Sequence, residues 1–503
     1  MRPAFSVASN YGRFLVGIAS VAVVTPQAIA AIGMEHFGLW SLAAATCGCI
    51  ALLELGIATT SMRFAAESEG AGDRLRRDAQ LSTLLVAQLP IALAMLLAGW
   101  LGAAPLAAVF GLRGADAGEF VAVVRVGATT AALALPLSLW RAALAARGHL
   151  HVSNLVDAGA IAAGAGVSLI GLALGLGIMA LALGAATTVL LPAPLLYLAI
   201  RRHVADLGLS WRQGSRHEWQ AMRNFAAAAV SSNSANLAAQ RLEPALVNAF
   251  LPLGAVGQYS VAARIAEYLV LLGRQLSSAL TPMVARAHGA GDSGAVRSTL
   301  LVGTRFQVAL MLPCALLLAW HAPAILRAWL GASAVEAALP LRLLCGAFAL
   351  ASLAMNPAVC LGMTGRHRFV AHAAVAGAVL RLGAGAALLG PLGLAGAGVA
   401  AIAAALVVDV GVIVTRACRH VGVSLGTFFA SAVAPALPGL LAASLVATAL
   451  QRWHPPITLP AIFAQCTVAG LAFVVLFVPF GLRPHLPSRF RRAAPLVLEA
   501  PAR

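Results

Sequence analysis

The side chains with most chemical capacity in this chain are arginines set inside apolar runs. The stretch VGQYSVAARIAEYLVLLGRQLSS, residues 256–278, places Arg264, Glu267 and Arg274 in a segment otherwise apolar enough to cross a bilayer. With Leu271 and Ser278 they follow i, i+3, i+7, i+10 and i+14, which is one stripe of a helix. The preceding segment carries a second stripe, Asn233, Asn236, Gln240, Glu243 and Val247, with Arg241 beside it. Arg125 and Arg381 fall inside other apolar runs, and Arg13 and Arg63 at the ends of two more. On insertion scales an arginine or aspartate at mid-bilayer costs on the order of 2.5–3.5 kcal/mol, so these residues are expected on faces turned away from lipid. Acids in such runs are fewer (Glu54, Glu243, Glu267 and Asp409), and a surplus of arginine suits an anion. The planar guanidinium stays charged at any ordinary pH and grips phosphate through two parallel N–H bonds. A pyrophosphate headgroup is the expected guest of these arginines and of the amides beside them, and Glu267 and Glu243 are the candidates for a coupling proton or sodium. The simpler reading is that Arg264 pairs with Glu267 at i, i+3 and locks a bundle; it leaves Arg274 and Arg241 unexplained.

Composition narrows the chemistry further. All 34 basic residues are arginines, since the sequence contains no lysine, and 17 acids leave a formal charge of +17. Without lysine there is neither a P-loop to hold nucleotide phosphates nor a Schiff-base amine. The seven cysteines (Cys47, Cys49, Cys314, Cys345, Cys360, Cys418, Cys466) lack paired spacing and read as small buried hydrophobes. The twelve histidines are scattered, many in loops beside arginine, as at Gly148-His149-Leu150-His151 and Arg366-His367-Arg368. No metal site, no cofactor and no nucleic-acid partner is expected, and no covalent chemistry.

The elements that must position these residues are transmembrane helices. The chain is 61% hydrophobic and 10% charged over 503 residues, with no long polar block, as in a polytopic membrane protein. A helix needs about 20 apolar residues to span the hydrocarbon core. That length divides the sequence into fourteen candidates, near residues 13–33, 37–62, 80–101, 119–144, 152–173, 176–200, 226–250, 256–284, 299–321, 338–363, 369–389, 393–415, 427–449 and 458–481. The arginine clusters at 74–77, 141–147, 201–216, 286–297, 366–368, 416–419 and 483–492 then all fall on one side. The opposite loops are short and nearly uncharged, so the positive-inside rule puts both termini in the cytoplasm. Ala28-Ile29-Ala30 resembles a small-residue cleavage site, but the first helix has a repeat partner and reads as part of the bundle.

The two halves repeat. FGLWSLAAATCGCIALLELGIATTSMRFAAESEGAGD, from Phe37, aligns with VGQYSVAARIAEYLVLLGRQLSSALTPMVARAHGAGD, from Val256, at a constant offset of 219. Gly38 meets Gly257, Trp40 meets Tyr259, Ser41 meets Ser260, and Gly70-Ala71-Gly72-Asp73 meets Gly289-Ala290-Gly291-Asp292. GHLHVS from Gly148 and GRHRFV from Gly365 keep nearly the same spacing. Six helices separate the partners, an even number, which describes a parallel repeat about an axis along the membrane normal. The expected architecture is all-α: one six-helix bundle over residues 1–218, a second over 219–420, two added helices over 421–482 and a basic cytoplasmic tail over 483–503. Pro26 and Pro244, one in the first helix of each half, are either bends that open and close the bundles or ordinary membrane prolines. The tail arginines, Arg483, Arg489, Arg491 and Arg492, are expected on anionic lipid or on a partner protein.

The opening NYGRFLVGIASVAVVTPQAIAAIGMEHFGLWSL, the RFAAESEGAGD that closes the second helix, and GQYSVAARIAEYLVLLGRQLSSALTPMVARAHGAGD resemble the polysaccharide transporter (Wzx-type) flippases of the multidrug/oligosaccharidyl-lipid/polysaccharide (MOP) superfamily, related in fold to the MATE transporters. The resemblance covers roughly residues 9–420, and the last two helices fit by length alone. It implies a V-shaped pair of bundles with a cationic lumen in the bacterial inner membrane. Such a protein moves an undecaprenyl-pyrophosphate-linked oligosaccharide from the cytoplasmic to the periplasmic leaflet by alternating access, for exopolysaccharide or O-antigen (lipopolysaccharide) assembly. Polysaccharide polymerase and glycosyltransferases are the implied partners. The N-terminal half departs from the pattern in having few central arginines. A multidrug or cation antiporter of the same fold is expected to carry acidic and aromatic lumen residues, where this chain has arginines and four tyrosines. A lipid II flippase is not separated by sequence. A polymerase or ligase is expected to carry a large outer loop, and every outer loop here is short; a non-transporting scaffold for glycosyltransferases is the remaining alternative.

Overall fold

The computed structural model describes residues 2–479, and the side chains of all of them except 2–4, 6–7, 55, 224 and 227–237. The described chain is helical: α1 (Arg2–Ala51), α2 (Leu55–Gly70), α3 (Arg74–Val109), α4 (Gly114–Ala146), α5 (Leu150–Ala173), α6 (Ile178–Leu190), α7 (Pro192–His203), α8 (Arg216–Phe250), α9 (Leu253–Gly289), α10 (Ser293–Leu330), α11 (Ala338–Leu361), α12 (His367–Leu392), α13 (Leu394–Ala404), α14 (Thr415–His420), α15 (Leu425–Phe428), α16 (Leu437–Trp453) and α17 (Leu459–Phe477). The protein is an all-α polytopic membrane protein. Among the described residues, ten helical segments are long and apolar enough to cross a membrane. Two are double, Ala8–Gly70 with 63 residues and Ala332–Leu392 with 61. Gly33 (φ 77°, ψ 168°) breaks the first and Gly365 (φ 85°) the second, in a left-handed region that glycine alone enters cheaply. The interruption of helical φ/ψ in α1 thus falls at Gly33 rather than at Pro26. α8 and α9, which carry the polar stripes, are not among the ten.

Two compact units divide the chain, Met1–Ser260 and Val261–Arg503, and the division falls within α9. The boundary expected from the sequence lies earlier, at 218/219, and in the first unit α8 packs on α1 and α2. One core of this unit gathers Leu81, Leu84, Leu139, Ala142, Leu144, Leu196 and Met222, side chains with no more than 3% exposure between them. In the second unit, Val308, Leu361, Val414, Phe428, Ala436, Ala443, Phe473 and Phe477 form the main cluster. There α17 is tied to α10 through Gln465, whose Oε1 lies 3.3 Å from Nε2 of the fully buried His321 and whose amide donates to the His454 carbonyl at 2.6 Å. Arg305, 5% exposed, donates at 2.6 Å to the Ser431 carbonyl. That carbonyl lies in a π-helical turn over Phe429–Val433, where the widened ladder frees backbone acceptors.

The turn that closes α2 recurs 219 residues later, bond for bond. Ala71, Gly72 and Asp73 donate their amides to the carbonyls of Glu67, Glu69 and Ser68. Ala290, Gly291 and Asp292 donate to those of Arg286, His288 and Ala287. Gly72 and Gly291 stand at φ +73° and +69°. Asp73 then caps the next helix by accepting from the Arg76 amide at 2.9 Å, as Asp292 does from Ala295 at 2.8 Å. What fills the two corners differs. Arg77, fully buried after the first turn, stands where Val296 stands after the second, in an apolar cluster with Val284, Leu300 and Cys360.

Gly38 and Gly257 make a reciprocal contact within the first unit. A Cβ on Gly38 would fall on the Leu253 carbonyl oxygen and close to the Gly257 amide; one on Gly257 would fall on the Met34 carbonyl oxygen and close to the Gly38 amide. Met34 and Leu253 are themselves 219 apart. Only hydrogen at both positions lets the two backbones meet.

Candidate functional site

In the first unit the predicted arginines are held by aromatic faces and close backbone. Arg63, expected at a helix end, is exposed midway along α2 and lays its guanidinium 4.3 Å from the ring centre of Phe225 on α8 and 5.4 Å from that of Phe64. Arg125, half-buried on α4, stacks 5.2 Å from Trp100 of α3; the indole N–H donates to Thr129 Oγ1 at 3.1 Å, and Thr129 donates to the Arg125 carbonyl at 2.8 Å. Such contacts keep the positive charge while satisfying its flat face. The Arg125 Nε is buried with no protein partner. Arg13 donates to Asn10 Oδ1 at 3.2 Å near the start of α1. Arg241 is exposed on α8, and its stem runs over Gly48 of α1 so closely that a Cβ there would lie 2.6 Å from Cδ. Gln240 is half-buried beside it, while the side chains of Asn233 and Asn236 lie outside the described ones. Glu243 is 7% exposed and accepts a hydrogen bond from the Tyr259 hydroxyl.

In the second unit the α9 stripe is accessible. Arg264 and Glu267 have side chains 56% and 46% exposed and meet at 3.5 Å. A pair at that distance and exposure contributes under about 1 kcal/mol, so its charges remain available to another ligand. Arg274 and Ser278, on the same face, are exposed as well. Arg381 on α12 is half-buried with its guanidinium 5.9 Å from the Phe348 ring centre. The predicted residues therefore fall into two sets, Arg13, Arg63, Arg125, Gln240, Arg241 and Glu243 in one unit and Arg264, Glu267, Arg274 and Arg381 in the other. The seven cysteines are free thiols, and among the described residues no group of three or more His, Cys, Asp or Glu is placed to hold a metal.

The densest charge cluster is one that sequence reasoning passed over. Arg77 donates to Glu69 Oε2 at 2.6 Å and to Asp78 Oδ1 at 2.9 Å, and reaches the Asp206 carbonyl at 3.4 Å. Arg147 donates to Glu69 Oε1 at 2.6 Å and to the Asp206 carboxylate, which holds the Asp206 carboxyl below its ordinary value of 3.8. Around it Gln80 bridges Ser68 (2.7 Å) and Glu218 (3.0 Å), and Asp78 and Ser82 accept from the amides of Gly208 and Ser210. This network fastens the connection after α7 to the turn between α2 and α3. Apart from the neighbouring Arg77–Asp78 pair, its bonds join residues 8 to 138 apart, and the long ones follow no local pattern.

A family model described as polysaccharide biosynthesis protein matches residues 73–338. No curated protein matches. Among solved structures, the chain is similar to an inward-facing multidrug-resistance MATE family transporter of the MOP superfamily, at 17% identity, TM-score 0.67, and 82% coverage of this chain and 98% of that one. It is also similar to the lipid II flippase MurJ in an inward closed conformation, at 12% identity, TM-score 0.68, and 98% coverage of this chain and 99% of that one. A third is a MOP superfamily transporter from Pyrococcus furiosus whose description reports a binding pocket of reverse polarity, at 16% identity, TM-score 0.54, and 83% and 93% coverage. These likenesses establish the fold.

Proposed function

Because the chain belongs to the polysaccharide biosynthesis protein family and has the fold of the MOP superfamily transporters, we propose that it is a flippase that carries an undecaprenyl-pyrophosphate-linked oligosaccharide from the cytoplasmic to the periplasmic leaflet by alternating access, for exopolysaccharide or O-antigen assembly. The observation that carries this reading is the accessible arginine stripe of α9, in which Arg264 and Arg274 outnumber the single carboxylate of Glu267. A pyrophosphate and a chain of hydroxyls cannot enter hydrocarbon unaided, since each unpaired polar group costs several kcal/mol there. Guanidinium groups lining a path through the protein remove that barrier while the polyprenyl tail stays in lipid. The reaction needs no bond making. Fourteen crossings, two six-helix bundles related by a parallel repeat, and cytoplasmic termini in the inner membrane belong to the same proposal. The matching turns 219 residues apart and the reciprocal glycine contact support the repeat. Glu267 is the better candidate for ion coupling, because Glu243 is buried and engaged by Tyr259. Glycosyltransferases that build the cargo and a polymerase that consumes it are the proposed partners.

A lipid II flippase is the second reading, favoured by one observation: the MurJ likeness extends over 98% of this chain, whereas the MATE likeness extends over 82%. The same extent weighs against a multidrug antiporter. The test uses proteoliposomes containing a fluorescent undecaprenyl-pyrophosphate glycan, or lipid II in a parallel set, and measures the headgroup fraction that becomes accessible. Wild type is expected to flip the glycan, and Arg264→Ala with Arg274→Ala to slow it about a hundredfold, the effect of losing two charged hydrogen bonds. Flipping of lipid II alone would transfer the assignment to the second reading, and flipping of neither would end both.

A further inference from the structure

A cleft of about 530 Å³ opens in the first unit where four helix ends meet, the C-termini of α3 and α8 and the N-termini of α4 and α9. Phe110–Arg113 and Asp116 line one wall, and Asn248–Leu253 the other. Because α3 and α8 each run from the arginine-rich turns to this cleft, it lies at the opposite end of the unit from the Arg77–Asp206 network. Its volume lies in the ordinary range for small-molecule sites, roughly 300–1,000 Å³.

The walls combine four kinds of group. Asn248 donates through Nδ2 to the Phe110 carbonyl at 3.0 Å, which fixes its amide and leaves its side-chain oxygen as an acceptor. Asp116, in the first turn of α4, brings a carboxylate whose neighbour is His36 at 3.9 Å, and Arg113 adds a guanidinium without an ion pair among the described residues. Arg113 is extended (φ −137°, ψ 160°) and offers no side-chain cap to α4. Phe250 presents an apolar ring, 46% exposed, at the end of α8. One acid, one base, one amide and an aromatic face do not select an anion, since Asp116 opposes Arg113. They match a ligand with many hydroxyls, each both donor and acceptor, and apolar C–H faces between them.

We propose that this cleft is a saccharide-binding subsite, which receives the sugar portion of the cargo at the end of the unit away from the basic turns. Asp116 and Asn248 accept from sugar hydroxyls, Arg113 donates to ring and hydroxyl oxygens, and Phe250 packs on a C–H face of the sugar. The inference rests on the flippase reading for its source of saccharide.

The test separates binding from transport. The probe is the free oligosaccharide released by mild acid from the lipid-linked pool of a host deleted for this chain. Saturation-transfer NMR with the full chain in nanodiscs reads its binding, and the same preparation is assayed for flipping of the lipid-linked form. A saturable transfer signal is expected, weakened about tenfold in Asp116→Asn with Phe250→Ala and in the exposed single variant Arg113→Gln, the effect of leaving a sugar hydrogen bond unmade. Arg264→Ala with Arg274→Ala is expected to keep the signal. Flipping without any transfer signal, or a signal equal in wild type and both cleft variants, overturns the subsite and leaves the flippase. A signal without flipping keeps the subsite and removes the transport reading, and neither signal nor flipping removes both.

Discussion

Two arginines of equal formal charge have opposite duties. Arg77 has no exposed side-chain surface and serves Glu69, Asp78 and Asp206, whereas Arg264 is 56% exposed and holds Glu267 loosely. Removing one partner of a buried charged set leaves the others desolvated and unpaired, at about 3–5 kcal/mol. Removing an exposed one costs under about 1 kcal/mol. Arg77→Met is therefore expected to lower the thermal unfolding midpoint in detergent strongly, and Arg264→Ala to leave it within a few degrees while slowing transport. Equal losses of stability in the two variants would refute this division. Asp206 adds a pH dependence of definite sign. Arg147 lowers its folded-state carboxyl below the ordinary 3.8, so its contribution is fully present above that value and is lost as pH falls through the lower, folded one. Asp206→Asn should lower the midpoint at pH 7, and the gap to wild type should close only below about pH 4. A gap that closes between pH 7 and 5 would assign the effect to another group.

At the scale of elements, the glycine turns were readable because backbone chemistry is local. A Gly-Ala-Gly-Asp run supplies a left-handed residue and a capping carboxylate within four positions, and both copies form the same hydrogen bonds. The apolar runs likewise became helices, though several run well past their expected limits: α1 begins at Arg2 against an expected 13, and α10 ends at Leu330 against 321. Burial of Arg77 was not readable, because it depends on Asp206 returning from 129 residues away. The aromatic partners of Arg63 and Arg125 were hidden for the same reason, as Phe225 and Trp100 lie on other helices. The crossing of α1 and α9 makes its own demand. Alanine at Gly38 or at Gly257 has to displace backbone, and each is expected to lose about 1–3 kcal/mol. Because both substitutions push apart one contact, the double variant should lose less than the sum, by about 0.5 kcal/mol or more. Strict additivity in a thermal double-mutant cycle would show that the two glycines do not share it.

At the scale of the molecule, the distribution of arginines predicts the orientation in the membrane. Alkaline phosphatase joined after residue 113 should be active, since it would reach the periplasm, and the enzyme joined after residue 147 or 206 should be silent. Activity after 147 and 206 with silence after 113 would invert the orientation, and activity at all three junctions would refute a single one. The reciprocal glycine contact carries a last consequence. In it Met34 and Gly38 receive from Gly257 and Leu253 what they give in return, the relation by which an isologous interface joins two copies of one subunit. Between separate subunits such a contact forms only in proportion to their concentration. Here both partners are on one polypeptide, so the meeting is intramolecular and its occupancy is independent of how many molecules the membrane holds. The two faces are also free to diverge: one corner of the fold keeps a buried ion network and its counterpart an apolar cluster, a difference that two identical subunits could not maintain.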